Sequence, residues 1–296
     1  MRTLIIGLVF LSFMACKNET SPQKNNESKE IENEQTIKKD TSDSTIVFSE
    51  EILELEKEKT KALKRDRLLK AEDDKPNLQE LVVSKSFFKE EDQYLLDYKY
   101  PYLNEKIDPG YAVFNNFIKE NYLNIEKTEN QILEDKELLC DTLKINRFRD
   151  KRIIDYKIYD VNHNLISVVL YKENYYSGMR YSTYLFDCVN FDLNKHKFIY
   201  FDDFFEVNTE EQVYNTINSI IREGIESGDL YYDCWELSKG DFKAYKNNFV
   251  VNDDTVTYYF DDCIICPSYT GTYSIEIPIK DILPLIKKFN YHPKLG

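Results

Sequence analysis

The chain has 296 residues, 42% hydrophobic and 31% charged, and its 53 acidic against 39 basic side chains leave a formal charge of −14. That length can bury one large core or two small ones joined tightly, and 23 tyrosines with 18 phenylalanines against eight glycines exclude a wholly disordered chain in favour of an aromatic, β-rich interior. An acidic surface repels phosphate, which excludes nucleic acid as a partner, whereas a basic protein would be steered in.

Residues 1–15 read as a lipoprotein signal peptide: Arg2, an apolar run from Leu4, then Ala15 ahead of Cys16. The run is too short to span a bilayer, which takes roughly 20 apolar residues, so it reads as a cleaved export signal. Cys16 stands where lipoprotein processing would cleave and acylate, making it the expected attachment point to a membrane of the bacterial envelope. Residues 16–49 are mostly Asn, Glu, Lys, Ser and Thr and cannot offset the entropy of folding, so they read as a disordered tether reaching on the order of 30 Å. Residues 50–79 form a charged helix or linker, with Ser49 as N-cap and Lys64, Arg65, Arg67 and Lys70 near the end of the helical part, Glu50–Lys70.

The globular part has an N-terminal half, 80–160, and a C-terminal half, 161–290, with no Gly- or Pro-rich linker between them. Phe87–Tyr100 reads as a strand. Asp108 and Pro109 start a helix with Ile107, Tyr111, Phe114, Ile118 and Tyr122 on one face. Leu143–Phe148 and Ile153–Val161 read as strands, followed by a three-stranded meander of Leu165–Tyr176, Met179–Leu193 and Lys197–Phe201. In the middle run Tyr181, Thr183, Leu185, Asp187, Val189 and Phe191 point one way, while Tyr184, Phe186, Cys188 and Leu193 fall mainly on the other face; both faces are substantially apolar, which places that strand centrally.

Thr209 and Gln212 predict a capping box, Val213, Ile217, Ile220, Ile221 and Ile225 a buried stripe, and Gly228 the helix end. Phe242–Val251, Thr255–Phe260 and Thr272–Ile279 read as strands, with a turn at Asp253-Asp254 and a short terminal helix around Ile282, Leu285, Ile286 and Phe289. Strand groups interrupted by isolated helices predict an α+β fold, an antiparallel sheet packed by helices on one side, without βαβ repetition.

Tyr175-Tyr176-Ser177-Gly178, then Asn190-Phe191-Asp192-Leu193 and Phe201-Asp202-Asp203-Phe204-Phe205, resemble the C-terminal extracellular domain of RsiV-type anti-sigma factors. Phe249-Val250-Val251, Tyr258-Tyr259-Phe260, Cys266-Pro267-Ser268-Tyr269-Thr270-Gly271 and Ile277-Pro278 continue that pattern in order, over about residues 85–290. Ser177-Gly178-Met179-Arg180 and Lys195-His196 depart from the family's usual turns. The resemblance implies a domain that binds an external ligand, lysozyme in the RsiV case, with cell-wall glycan as the other candidate. The N-terminal half is similar to PdaC-type peptidoglycan deacetylases, whose chemistry lies in a separate domain not found in this sequence, so the implied role is accessory and non-catalytic.

The five cysteines beyond Cys16 are Cys140, Cys188, Cys234, Cys263 and Cys266, and one or two disulfides are expected in an exported chain, with the pairing open. Cys263-Ile264-Ile265-Cys266 has redox spacing, yet Pro267 and strand-like residues follow where a thiol-activating helix would be needed. His163, His196 and His292 are too scattered to suggest a metal, and no cofactor motif is present. Asp202-Asp203, Asp253-Asp254 and Asp261-Asp262 are the acidic pairs an alternative glycan hydrolase would need, although adjacent aspartates cannot face each other across a scissile bond. The binding candidates are therefore Tyr175, Tyr176, Met179, Arg180 and Tyr181 around the first meander turn, since aromatic and arginine side chains dominate binding hot spots and also stack on sugars.

Overall fold

The computed structural model describes residues 80–138, 149–162, 165–177, 179 and 181–287. Everything described lies in one compact unit of the chain. The signal peptide, Cys16, the tether, the charged helix, the strand expected at Leu143–Phe148 and Arg180 lie outside the described residues.

The fold is α+β. Six strands make one sheet in chain order: β1 (Val82–Glu90), β2 (Tyr94–Leu103), β3 (Asp150–Asn162), β4 (Leu165–Tyr175), β5 (Thr183–Asp192) and β6 (Lys197–Phe198). All neighbours are antiparallel except β2 and β3, which run parallel because the chain crosses between them through α1 (Ala112–Tyr122) and α2 (Ile125–Leu138). That single parallel pair was not anticipated, nor was α2, whose face is weakly apolar and anchored by one buried residue, Ile132.

The alternation in β4 shows why it, not β5, is the innermost strand. Ile166, Val168 and Leu170 point into a core shared with Phe114, Ile118 and Tyr122 of α1, while Val169 and Tyr171 point the other way. Residues Leu165 to Tyr171 are buried without exception. Within β5 the expected faces hold: Val189 and Phe191 join the α1 side, and Tyr184 and Phe186 the opposite side; Leu193, expected with the latter, lies past the strand end and packs on the α1 side instead.

Helices α1 and α2 cover one face of this sheet. A second, three-stranded antiparallel sheet covers the other: β7 (Phe249–Val251), β8 (Thr255–Tyr259) and β9 (Ser274–Pro278). Phe186 stacks on Tyr259 at 5.2 Å, and the hydroxyls of Tyr159 and Tyr259 meet at 2.6 Å. The outer face of the second sheet carries α4 (Glu210–Ser227), with Val213, Ile217 and Ile221 packed among Val256, Tyr258, Ile275 and Ile277. Burying three such aliphatic side chains contributes about 1.5–3 kcal/mol each. Gly228, at φ +83, ends α4 as expected.

Five local expectations are corrected. Phe87–Tyr100 is not one strand: the chain turns at residues 91–93, where the Glu91 amide donates to the Tyr94 carbonyl at 2.9 Å, and splits into β1 and β2. Ile107 does not share the buried face of α1; it precedes the helix and is exposed. Thr209 does not cap α4 through its side chain: its backbone is already helical, and its hydroxyl donates to the Glu206 carbonyl at 2.7 Å. The strand expected from Phe242 begins only at Phe249, because Ser238 accepts from the Asp241 amide at 3.0 Å and starts helix α5 (Lys239–Tyr245), which turns Phe242 onto Phe201 and Tyr214. The third meander strand stops after Phe198, since the Asp203 carboxylate accepts from the Tyr200 amide at 3.2 Å and the Asp203 amide donates to the Tyr200 carbonyl at 3.0 Å, opening α3 (Phe201–Phe204). The chain closes with α6 (Ile279–Ile282) and a 3₁₀ turn at Leu283–Leu285.

Asparagine side chains substitute for missing strand partners. Asn115 accepts from the Leu103 amide and donates to the Leu103 carbonyl, both at 2.8 Å. Asn218 does the same for Leu237, at 2.7 and 3.1 Å. Beyond the two residues of β6, the outer edge of β5 is served by Asn248, which accepts from the Cys188 amide (2.7 Å) and donates to the carbonyls of Phe186 (2.7 Å) and Tyr259 (2.9 Å). Asn190 and Ser167 link the two sheets through the Phe249 carbonyl and the Val251 amide, each at 2.8 Å.

Candidate functional site

The hairpin joining β4 to β5 stands on a base of buried, paired ionisable groups. Asp150 accepts from the Ser177 amide at 2.9 Å and from Arg152 at 3.1 Å, with Lys136 at 3.7 Å. Arg152 also donates to the Tyr175 carbonyl at 3.0 Å, and its guanidinium lies 4.2 Å above the Tyr176 ring. Glu173, 2% exposed, accepts from the hydroxyls of Tyr171 and Ser182, both at 2.9 Å. Buried charges persist only when paired in this way, and breaking such a pair costs far more than forming it gains.

Of the predicted contact residues, Met179 (54% exposed) and Tyr181 (67% exposed) stand open to solvent. Tyr175 and Tyr176 are half-buried: the first ends β4, and the second is held beneath Arg152. Arg180 is not described. Sequence reasoning missed Asp150, Arg152 and Glu173, which lie in the charged runs Arg149-Asp150-Lys151-Arg152 and Lys172-Glu173, where each reads as a solvent-facing residue.

A second aromatic group was also missed. Tyr231, Tyr232 and Trp235 lie on the connection between α4 and α5, and Tyr269 on the connection between β8 and β9; all four are exposed. A disulfide between Cys234 and Cys266 joins the two connections, so Cys266 of the CxxC spacing pairs with a distant cysteine instead of Cys263. The cue in the sequence was the run Tyr231-Tyr232-Asp233-Cys234-Trp235, too aromatic for an ordinary loop. The β8–β9 connection also meets the hairpin's exit strand: the Asp262 amide donates to the Tyr184 carbonyl at 2.9 Å, the Tyr184 and Tyr273 rings lie 5.8 Å apart, and the Tyr273 hydroxyl donates to the Ser268 carbonyl at 3.2 Å.

The remaining titratable groups have structural occupations. Asp203 caps α3; burial would raise its pKa, but bonds from Lys197 and the Tyr200 amide hold the carboxyl below its usual range. Asp202 is exposed, 3.6 Å from Lys246. Asp262 accepts from the Ser268 hydroxyl at 3.0 Å, and Asp253 and Asp254 occupy the turn before β8. Burial pushes the Cys188 thiol up, which makes it a poor nucleophile. The Tyr269 hydroxyl is pushed up to about 12 by its hydrogen bond to Asp233. Among the described residues, no group of three or more His, Cys, Asp or Glu side chains could hold a metal ion, and no helix is long and apolar enough to cross a membrane.

Asp261 accepts from the Phe186 amide at 2.8 Å, yet burial raises its pKa above that of an ordinary aspartate. An acid raised in the folded state contributes stability that is fully present below its unfolded pKa and is lost as pH rises through the folded value. Asp261→Asn keeps the carbonyl acceptor and cannot ionise. Its Tm should therefore exceed the parent's at pH 7, and the difference should close below about pH 4, where both side chains are neutral. Thermal melts across that range check this.

Residues 202–280 match the family described as "Protein of unknown function (DUF3298)". The matched segment runs from α3 to α6 and contains the second sheet, the disulfide and all four exposed aromatics of the second group. No curated protein matches the chain. Solved structures similar to it include a DUF3298 family member from Bacteroides fragilis, 13% identical with a TM-score of 0.47, the match covering 73% of this chain and 96% of that one. A DUF3298 family protein from Pseudomonas aeruginosa is 14% identical with a TM-score of 0.49, covering 72% and 94%.

Proposed function

We propose that the protein is a lipid-anchored, non-catalytic binding protein of the bacterial envelope that holds an external basic protein on its β4–β5 hairpin. The observation that carries this reading is the rigid base beneath an exposed tip: Met179 and Tyr181 project from a turn whose flanks are bound by Asp150, Arg152 and Glu173. Flanks already ordered lose little conformational entropy on binding. The charge of −14 favours a cationic partner, and the resemblance to RsiV-type domains supports lysozyme. Attachment through Cys16 with a tether of thirty-odd residues would carry the domain clear of the lipid headgroups.

Retention of lysozyme by the full chain, measured at low and high salt, tests this. Binding should fall with salt, and Tyr181→Ala should weaken it about tenfold at unchanged melting temperature. Absence of retention at low salt overturns the reading.

A further inference from the structure

The aromatic group on the matched segment is not needed by the hairpin, and its construction points to a ligand of its own. Polar edges of two of the rings are engaged within the protein: Trp235 Nε1 donates to the Ile264 carbonyl, beside a bond from its backbone amide to the Ile265 carbonyl, both at 2.9 Å, and the Tyr269 hydroxyl donates to Asp233. Tyr231 sits edge-on to Tyr269 at 6.3 Å. With the Cys234–Cys266 disulfide joining the two connections, Tyr231, Trp235 and Tyr269 are restrained before any ligand arrives, and their ring surface is open to one. Tyr232 is 82% exposed, and nothing in the hydrophobic core uses it.

Neighbouring charge narrows the ligand class. Residues 228–238 and 260–272 contain no lysine or arginine, so nothing there would hold a phosphate or carboxylate. Nearby carboxylates are already engaged: Asp233 by Tyr269, Glu236 by Arg222 at 3.2 Å, Asp229 by Ser227 at 2.8 Å and Asp262 by Ser268 at 3.0 Å. A basic segment could share those carboxylates, so what favours a sugar is the ring surface: the flat C–H face of a pyranose packs on an aromatic ring, and its hydroxyls can bond to acceptors that already hold one donor.

We infer that Tyr231, Tyr232, Trp235 and Tyr269 form a platform that binds an uncharged polysaccharide by stacking of sugar rings. This site is separate from the proposed protein-binding hairpin and stands or falls independently of it.

Trp235 is the only tryptophan in the chain, so its fluorescence reports directly on the platform. The full chain is titrated with chitotetraose, cellotetraose and maltotetraose in parallel with calorimetry. The expected result is a saturable fluorescence change with at least one of them that persists at high salt. Tyr232→Ala should weaken that binding about tenfold while leaving the melting temperature unchanged. Tyr181→Ala, which tests the hairpin, should leave sugar binding intact. The inference is overturned if none of the three sugars binds, if calorimetry detects a sugar that leaves Trp235 silent, or if Tyr232→Ala binds sugar as the parent does. A change produced only by oligolysine and abolished by salt would assign the platform to cations and overturn it equally.

Discussion

Replacing Asn248 with leucine should lower stability by about 3–5 kcal/mol, a large share of what a domain of this kind possesses. One side chain here serves three backbone groups, the Cys188 amide and the Phe186 and Tyr259 carbonyls. Each group left without a partner away from water costs about 1–3 kcal/mol, and Asn248 is only half-buried, so water recovers part of the loss. Asn248→Asp is informative beside it: the acceptor for Cys188 survives, the two donated bonds do not, and a charge is introduced, so its cost should also be substantial. Denaturant midpoints with unchanged m-values would report both, and Asn121→Leu, on an exposed face of α1, serves as the control. A cost below about 1 kcal/mol for the leucine variant would mean that the β5 edge does not depend on this side chain.

Removing the disulfide with Cys234→Ala and Cys266→Ala together should cost about 3–4 kcal/mol, the loop-closure entropy for a separation of 32 residues. The same change should loosen the two connections that present Tyr232 and Tyr269, so saccharide affinity should drop further than global stability does when both are measured well below the unfolding transition. Cys188→Ala is the contrasting variant. Its thiol packs beside the core between the sheets, and losing one sulfur atom there should leave the platform untouched. If the double variant keeps full stability under oxidising conditions, the cross-link contributes nothing to the fold.

Much of the architecture was readable because it is written in short-range periodicity. The alternation along Thr183–Asp192, the Tyr111–Phe114–Ile118–Tyr122 face, the Val213–Ile217–Ile221 stripe and the Gly228 stop each depend on residues within a turn or two of one another. Misreadings arose where two local signals competed. Phe242–Val251 alternates well enough for a strand, but the Ser238 cap, close enough to bond Asp241, commits its first half to helix.

The sequence by itself determined the α+β class, the two-faced meander and an aromatic interior under an acidic surface, because composition and periodicity act locally and survive without knowledge of what packs where. Only the tertiary structure decided which side chains meet. Cys234 finds Cys266, Asn248 completes a strand edge some sixty residues away, Arg152 lies beneath the hairpin turn, and Tyr231 meets Tyr269 across two connections. Such pairings follow from how the two sheets stack, and a contact between distant residues leaves no periodic trace in the chain that makes it.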